Sequence, residues 1–182
     1  MLFSIPNLFT ALRIFMTPFI LTALAQGHFL LGGWLFGAAA FTDLLDGAVA
    51  RKFGGVTKFG QYLDPIADKI LLVSMYLGLA AGHAIPYWTI YLIFGRDLWI
   101  VLMSSIALKF TTYRDLTPSV WGKSSTFLQI MTAIALMGAH GYQDAVLLRI
   151  CDFLIWGLAL LAVVSGGDYT MRGVRWLAKR NR

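Results

Sequence analysis

A chain of 182 residues in which 58% are hydrophobic and 13% charged, with a mean hydropathy of +0.71, has too little polar surface to cover a water-soluble core of its size. That composition belongs in a bilayer. The net charge of +6 is spread in short basic clusters between apolar runs and not along an amphipathic stripe, which points to anionic lipid headgroups and away from nucleic acid. The single cysteine, Cys151, excludes an intrachain disulfide and a cysteine metal cluster.

Spanning helices need roughly 20 mostly apolar residues. In chain order the sequence predicts six, at about 6–25, 29–50, 60–82, 86–108, 124–141 and 146–167, as one all-α integral-membrane domain over residues 1–182. The first run starts almost at Met1 without a basic segment and is followed by runs of similar length, so a cleaved signal peptide is not expected. Arg51, Lys52 and Lys58 fall between helices two and three, and Lys109, Arg114 and Lys123 between helices four and five. Arg172, Arg175, Lys179, Arg180 and Arg182 fall in the tail. The opposite loops, around Gln26–His28, Ala81–Pro86 and His140–Asp144, hold the three histidines and no Lys or Arg. Basic residues mark the cytoplasmic side, so both termini are expected there, in the cell (inner) membrane. The segment 168–182 is expected to be a basic cytoplasmic tail, with Val174, Trp176 and Leu177 suited to an interfacial helix or a simple positive anchor.

Ionisable residues within spanning segments are costly and mark function. All nine acidic residues are Asp, and four gather in one region. Asp43 and Asp46 lie three apart near the cytoplasmic end of helix two, and Asp64 and Asp68 four apart near the start of helix three, so each pair shares a helical face. A short connection makes the two helices antiparallel neighbours. Four converging carboxylates need cations, and hard oxygen ligands suit Mg²⁺ or Mn²⁺ and not zinc. Salt bridges to Arg51, Lys52, Lys58 and Lys69 are the alternative, but bridging does not require four acids on two facing stripes.

The stretch Asp43-Leu-Leu-Asp46-Gly47-Ala-Val-Ala50-Arg51, followed by Gly60, Asp64 and Asp68, resembles the signature of the CDP-alcohol phosphatidyltransferases at every fixed position. Pro6-Asn7-Leu-Phe-Thr10-Ala-Leu-Arg13 looks like the first-helix motif of the same family. The resemblance implies a six-helix bundle, a homodimer, and a centre of two divalent cations held by Asp43, Asp46 and Asp64. It implies that those cations grip the diphosphate of CDP-diacylglycerol. Asp68 would be the general base for the acceptor hydroxyl and a further metal ligand. Gly47, Ala50 and Gly60 would admit cytidine close to the backbone, or serve as small-residue helix contacts. Arg51 would meet phosphate oxygens, or simply set topology.

Asn7, Thr10 and Arg13 make one face of helix one polar within an apolar run, either lining the same cavity or hydrogen-bonding between helices. Arg96 and Asp97 lie mid-membrane in helix four and must face protein or water. Arg96 with Lys123 is expected to bind a phosphate on the acceptor, or Arg96 to pair with an aspartate of the cluster. The short chain most resembles the branch with phosphatidylglycerophosphate synthases and cardiolipin synthases. The former usually carry Arg-Glu in helix four and a second Arg about two turns on, where this chain has Ser104-Ser105. That absence favours phosphatidylglycerol, an acceptor lipid, over glycerol-3-phosphate, a polyol phosphate. A transporter using intramembrane carboxylates would instead spread its acids through the membrane depth or show two related halves.

Overall fold

The computed structural model describes the backbone of residues 5–53, 58–110 and 120–179, and the side chains of 10–42, 64, 66–103, 105 and 120–171. Among the described residues there are six helices and no strand. The helices are α1 (Ile5–Ala25), α2 (Phe29–Phe53), α3 (Lys58–Ala81), α4 (Tyr87–Phe110), α5 (Val120–Tyr142) and α6 (Ala145–Lys179). Each lies within a few residues of its predicted run at the end towards the histidine-bearing turns. At the opposite ends the helices run further, because charged side chains end an apolar pattern without ending a helix. The predicted basic tail accordingly begins as a continuation of α6, unbroken to Lys179.

Three turns stop their helices by the same device. Gly27, His83 and Gln143 adopt left-handed backbone with φ of 80°, 59° and 55° after α1, α3 and α5. The following amides, of His28, Ala84 and Asp144, reach back to the carbonyls of Ala23, Leu79 and Ala139 at 2.9, 2.8 and 3.1 Å. These bonds satisfy carbonyls that the helix end would orphan.

Two compact units are present. One comprises Met1–Ile85 with Ala133–Ala145, the other Pro86–Thr132 with Val146–Arg182. In the first, α1 packs along both α2 and α3. Residue pairs rise together along α1 and α3, from Thr10 beside Asp64 to Leu24 beside Gly78 and Gly82, so these helices are parallel. Close approach needs glycine here. A Cβ on Gly78 would stand 2.8 Å from the Leu24 Cβ, and one on Gly82 would strike the Leu24 carbonyl oxygen. In the second unit α4 and α6 are also parallel, from the Trp88–Trp156 ring contact at 5.5 Å to the Trp99–Thr170 hydrogen bond at 2.9 Å.

The packing places apolar groups outside and several polar ones inside. Trp34 and Phe153 are 76% and 79% exposed, whereas Thr10, Thr89, Ser125, Thr132 and Ser165 are fully buried. Among the described residues, Ala145–Met171 is the helix long and apolar enough to cross a membrane; Thr10–Ala25 and Phe29–Thr42 are apolar but shorter.

Candidate active site

The start of α1 and the start of α3 bring four of the sequence-selected residues together. Thr10 and Arg13 share one face of α1, and Asp64 and Asp68 one face of α3. Thr10 Oγ1 donates to Asp64 Oδ1 at 2.6 Å, and Arg13 Nη1 forms an ion pair with Asp68 Oδ1. Arg13 is 1% exposed, a burial that is tolerable for a guanidinium only with a carboxylate beside it. Asp68 remains 54% exposed. The cation is therefore walled in and its carboxylate partner faces outward. Of the two alternatives for this face, hydrogen bonding between helices is what Thr10 and Arg13 do here.

Asn7, Asp43, Asp46, Gly47, Ala50, Arg51 and Gly60 lie within helices, but their side chains are outside the described residues. Among the described residues no three His, Cys, Asp or Glu side chains converge as a metal cage. Asp64 and Asp68 fit a hard divalent cation by the chemistry of their donors. Each carboxylate has about four lone-pair positions, and the Thr10 bond uses one on Asp64.

The second unit holds the other polar constellation. Arg96 donates through Nη1 to Asp97 Oδ1 at 2.7 Å, through Nε and Nη2 to Ser165 Oγ at 3.2 and 2.6 Å, and through Nη2 to the Gly122 carbonyl at 3.5 Å. Its side chain is 7% exposed. Among the described residues the carboxylate beside Arg96 is thus its neighbour Asp97. The alternative in which Arg96 pairs with Asp43 or Asp46 falls on side chains outside the described residues. Lys123 is exposed on α5, next to Gly122. An open groove of about 350 Å³ is lined by Arg96 together with Tyr91, Trp99, Gly95, Gly166 and Gly167.

Sequence reasoning passed over Ser165 and the Gly122 carbonyl. It also passed over the stripe Ser125, Gln129 and Thr132, all at most 2% exposed. The signal was available for the stripe, since positions 125, 129 and 132 recur at helical spacing within an apolar run. Nothing in the spacing singles out Ser165.

These features define a class first: a helical protein in which two carboxylates on one helical face are braced by buried polar groups of a neighbouring helix. Residues 3–166 match the family described as CDP-alcohol phosphatidyltransferase. The chain is 34% identical over 184 residues to the probable phosphatidylglycerophosphate synthase of Mycobacterium tuberculosis, covering 94% of this chain and 82% of that protein. It is 32% identical over 174 residues to the CDP-diacylglycerol–glycerol-3-phosphate 3-phosphatidyltransferase of Rickettsia bellii, covering 91% and 93%. It is 34% identical over 152 residues to the probable cardiolipin synthase (CMP-forming) of Drosophila melanogaster, covering 75% and 47%. The chain belongs to the CDP-alcohol phosphatidyltransferase family, membrane-associated enzymes that use CDP-diacylglycerol and an alcohol acceptor.

Proposed function

We propose that this enzyme moves the phosphatidyl group of CDP-diacylglycerol to glycerol-3-phosphate, releasing CMP. The observation that carries the site is the bracing of Asp64 by Thr10 and of Asp68 by Arg13, which presents two signature carboxylates from one helical face. Asp43, Asp46, Asp64 and Asp68 would hold two divalent cations, Mg²⁺ or Mn²⁺. When bound, such cations neutralise the diphosphate and the leaving CMP. The acceptor oxygen forms a bond to the phosphatidyl phosphorus as the bond from that phosphorus to the CMP oxygen breaks. The hydroxyl proton passes to Asp68, half exposed and so open to the acceptor. Arg13 fixes the orientation of the carboxylate. Gly47, Ala50 and Gly60 admit the cytidine, and Arg51 meets the donor phosphate.

The acceptor reading rests on the relatives. Proteins named for glycerol-3-phosphate, or for phosphatidylglycerophosphate, align with more than nine-tenths of this chain, whereas the cardiolipin synthase aligns with 75% of it. This favours the alternative over the phosphatidylglycerol acceptor drawn from Ser104. In physical terms Arg96 and Lys123 supply two cations for a phosphate dianion, each charge-assisted hydrogen bond contributing roughly 1.5–3 kcal/mol. Membrane embedding is supported by exposed apolar side chains around buried polar ones and by the Ala145–Met171 helix. The Lys and Arg distribution supports cytoplasmic termini in the inner membrane.

The test is competition. Purified enzyme with CDP-diacylglycerol is given glycerol-3-phosphate and phosphatidylglycerol together, and the lipid product is identified by mass. Phosphatidylglycerophosphate with CMP is the expected outcome; cardiolipin would return the acceptor to phosphatidylglycerol.

A further inference from the structure

Ser165 lies on α6 with its side chain fully buried, and its Oγ accepts from both Nε and Nη2 of Arg96. Those two N–H groups form one edge of the guanidinium fork. With Asp97 on Nη1 and the Gly122 carbonyl on Nη2, four of the five N–H donors are engaged, by partners on α4, α5 and α6. The plane of the guanidinium is therefore set by three helices, and among the described residues one Nη1 N–H has no partner.

Adhesion between α4 and α6 does not explain Ser165. The same helices are tied elsewhere by Trp99 Nε1 donating to Thr170 Oγ1 at 2.9 Å, with Thr170 in turn donating to the Gly166 carbonyl at 2.8 Å, and by the Trp88–Trp156 contact. A long, flexible arginine loses rotamer freedom when it grips a ligand, and an arginine ordered beforehand binds more tightly because that loss is already made. We propose that Ser165 is a positioning residue for acceptor recognition: it holds Arg96 in one orientation, so that the remaining Nη1 donor meets the phosphate of glycerol-3-phosphate. This rests on the reading that Arg96 binds that phosphate.

The experiment measures KM for glycerol-3-phosphate and for CDP-diacylglycerol, kcat and thermal stability, in the parent, Ser165→Ala, Ser165→Thr and Arg96→Gln. Ser165→Ala should raise the glycerol-3-phosphate KM by about tenfold, equivalent to roughly 1.4 kcal/mol. The CDP-diacylglycerol KM and kcat should stay at the parental values, and the melting temperature should fall by a few degrees as two buried N–H donors lose their acceptor. Ser165→Thr keeps the hydroxyl and should recover most of the acceptor KM, and Arg96→Gln should raise that KM further than Ser165→Ala. If Arg96→Gln leaves the acceptor KM unchanged, the underlying reading of Arg96 fails. If Arg96→Gln raises it while Ser165→Ala leaves it unchanged or lowers it, the positioning role alone is overturned. Equal changes in both KM values would make Ser165 a packing residue and also overturn it.

Discussion

Replacing Gly78 with Ala tests the close α1–α3 approach that carries Thr10 to Asp64 and Arg13 to Asp68. The added Cβ would stand 2.8 Å from the Leu24 Cβ and 3.0 Å from the Leu21 carbonyl oxygen. Carbon atoms pack at about 3.5 Å or more, so the helices must part by roughly 0.7 Å. Overpacking of this kind costs about 1–3 kcal/mol. Alanine also gains up to about 1 kcal/mol of helix propensity over glycine, and Gly37→Ala isolates that gain because a Cβ there meets nothing within 4 Å. The difference between the two variants is thus the overpacking alone. At about 2–4 °C per kcal/mol for a chain of this size, Gly78→Ala should melt about 2–12 °C below Gly37→Ala. Melting followed by tryptophan fluorescence in detergent reads it. Activity well below the transition should stay near parental, since Gly78 lies 14 residues from Asp64, roughly 21 Å along α3. A Gly78→Ala variant that melts with or above Gly37→Ala would refute the close approach.

Thr10→Val keeps the shape of a fully buried side chain and removes its hydrogen bond to Asp64. The Mg²⁺ concentration for half-maximal activity should rise by about 10–100-fold, and an unchanged metal titration would show that Thr10 does not support a ligand. Asp68→Asn should abolish transfer while leaving CDP-diacylglycerol binding in place, whereas Asp43→Asn should weaken that binding directly. Equal loss of binding in both would make Asp68 chiefly a metal ligand. His83→Gly relieves a left-handed backbone with φ of 59° and should stabilise the protein by about 0.5–1 kcal/mol net. A lowered melting temperature would contradict the turn geometry.

The helix count and the three turns at Gly27, His83 and Gln143 were legible because apolar runs break sharply there. Helix ends on the basic side were not, since Arg51, Lys52 and Lys123 end hydropathy but favour or tolerate helix. The Asp64–Asp68 pair and the Thr10–Arg13 face were legible from spacing alone, because positions three or four apart share a face. Which carboxylate each would meet was not, for that follows from the parallel packing of α1 on α3. Gly78 and Gly82 looked like ordinary residues of an apolar run, since close approach is a property of two helices together. Ser165 was hidden for the same reason, as its partner lies 69 residues away on α4. Arg96 was singled out by its cost in an apolar helix, but its described carboxylate partner is Asp97, one residue along.

The most direct test of the account is a radiolabel transfer assay with purified enzyme, CDP-diacylglycerol, Mg²⁺ and labelled glycerol-3-phosphate. The account predicts label in a phospholipid, CMP released in equal amount, and loss of both on chelation or in Asp68→Asn. Label that stays water-soluble, or transfer that survives exhaustive chelation, would contradict it.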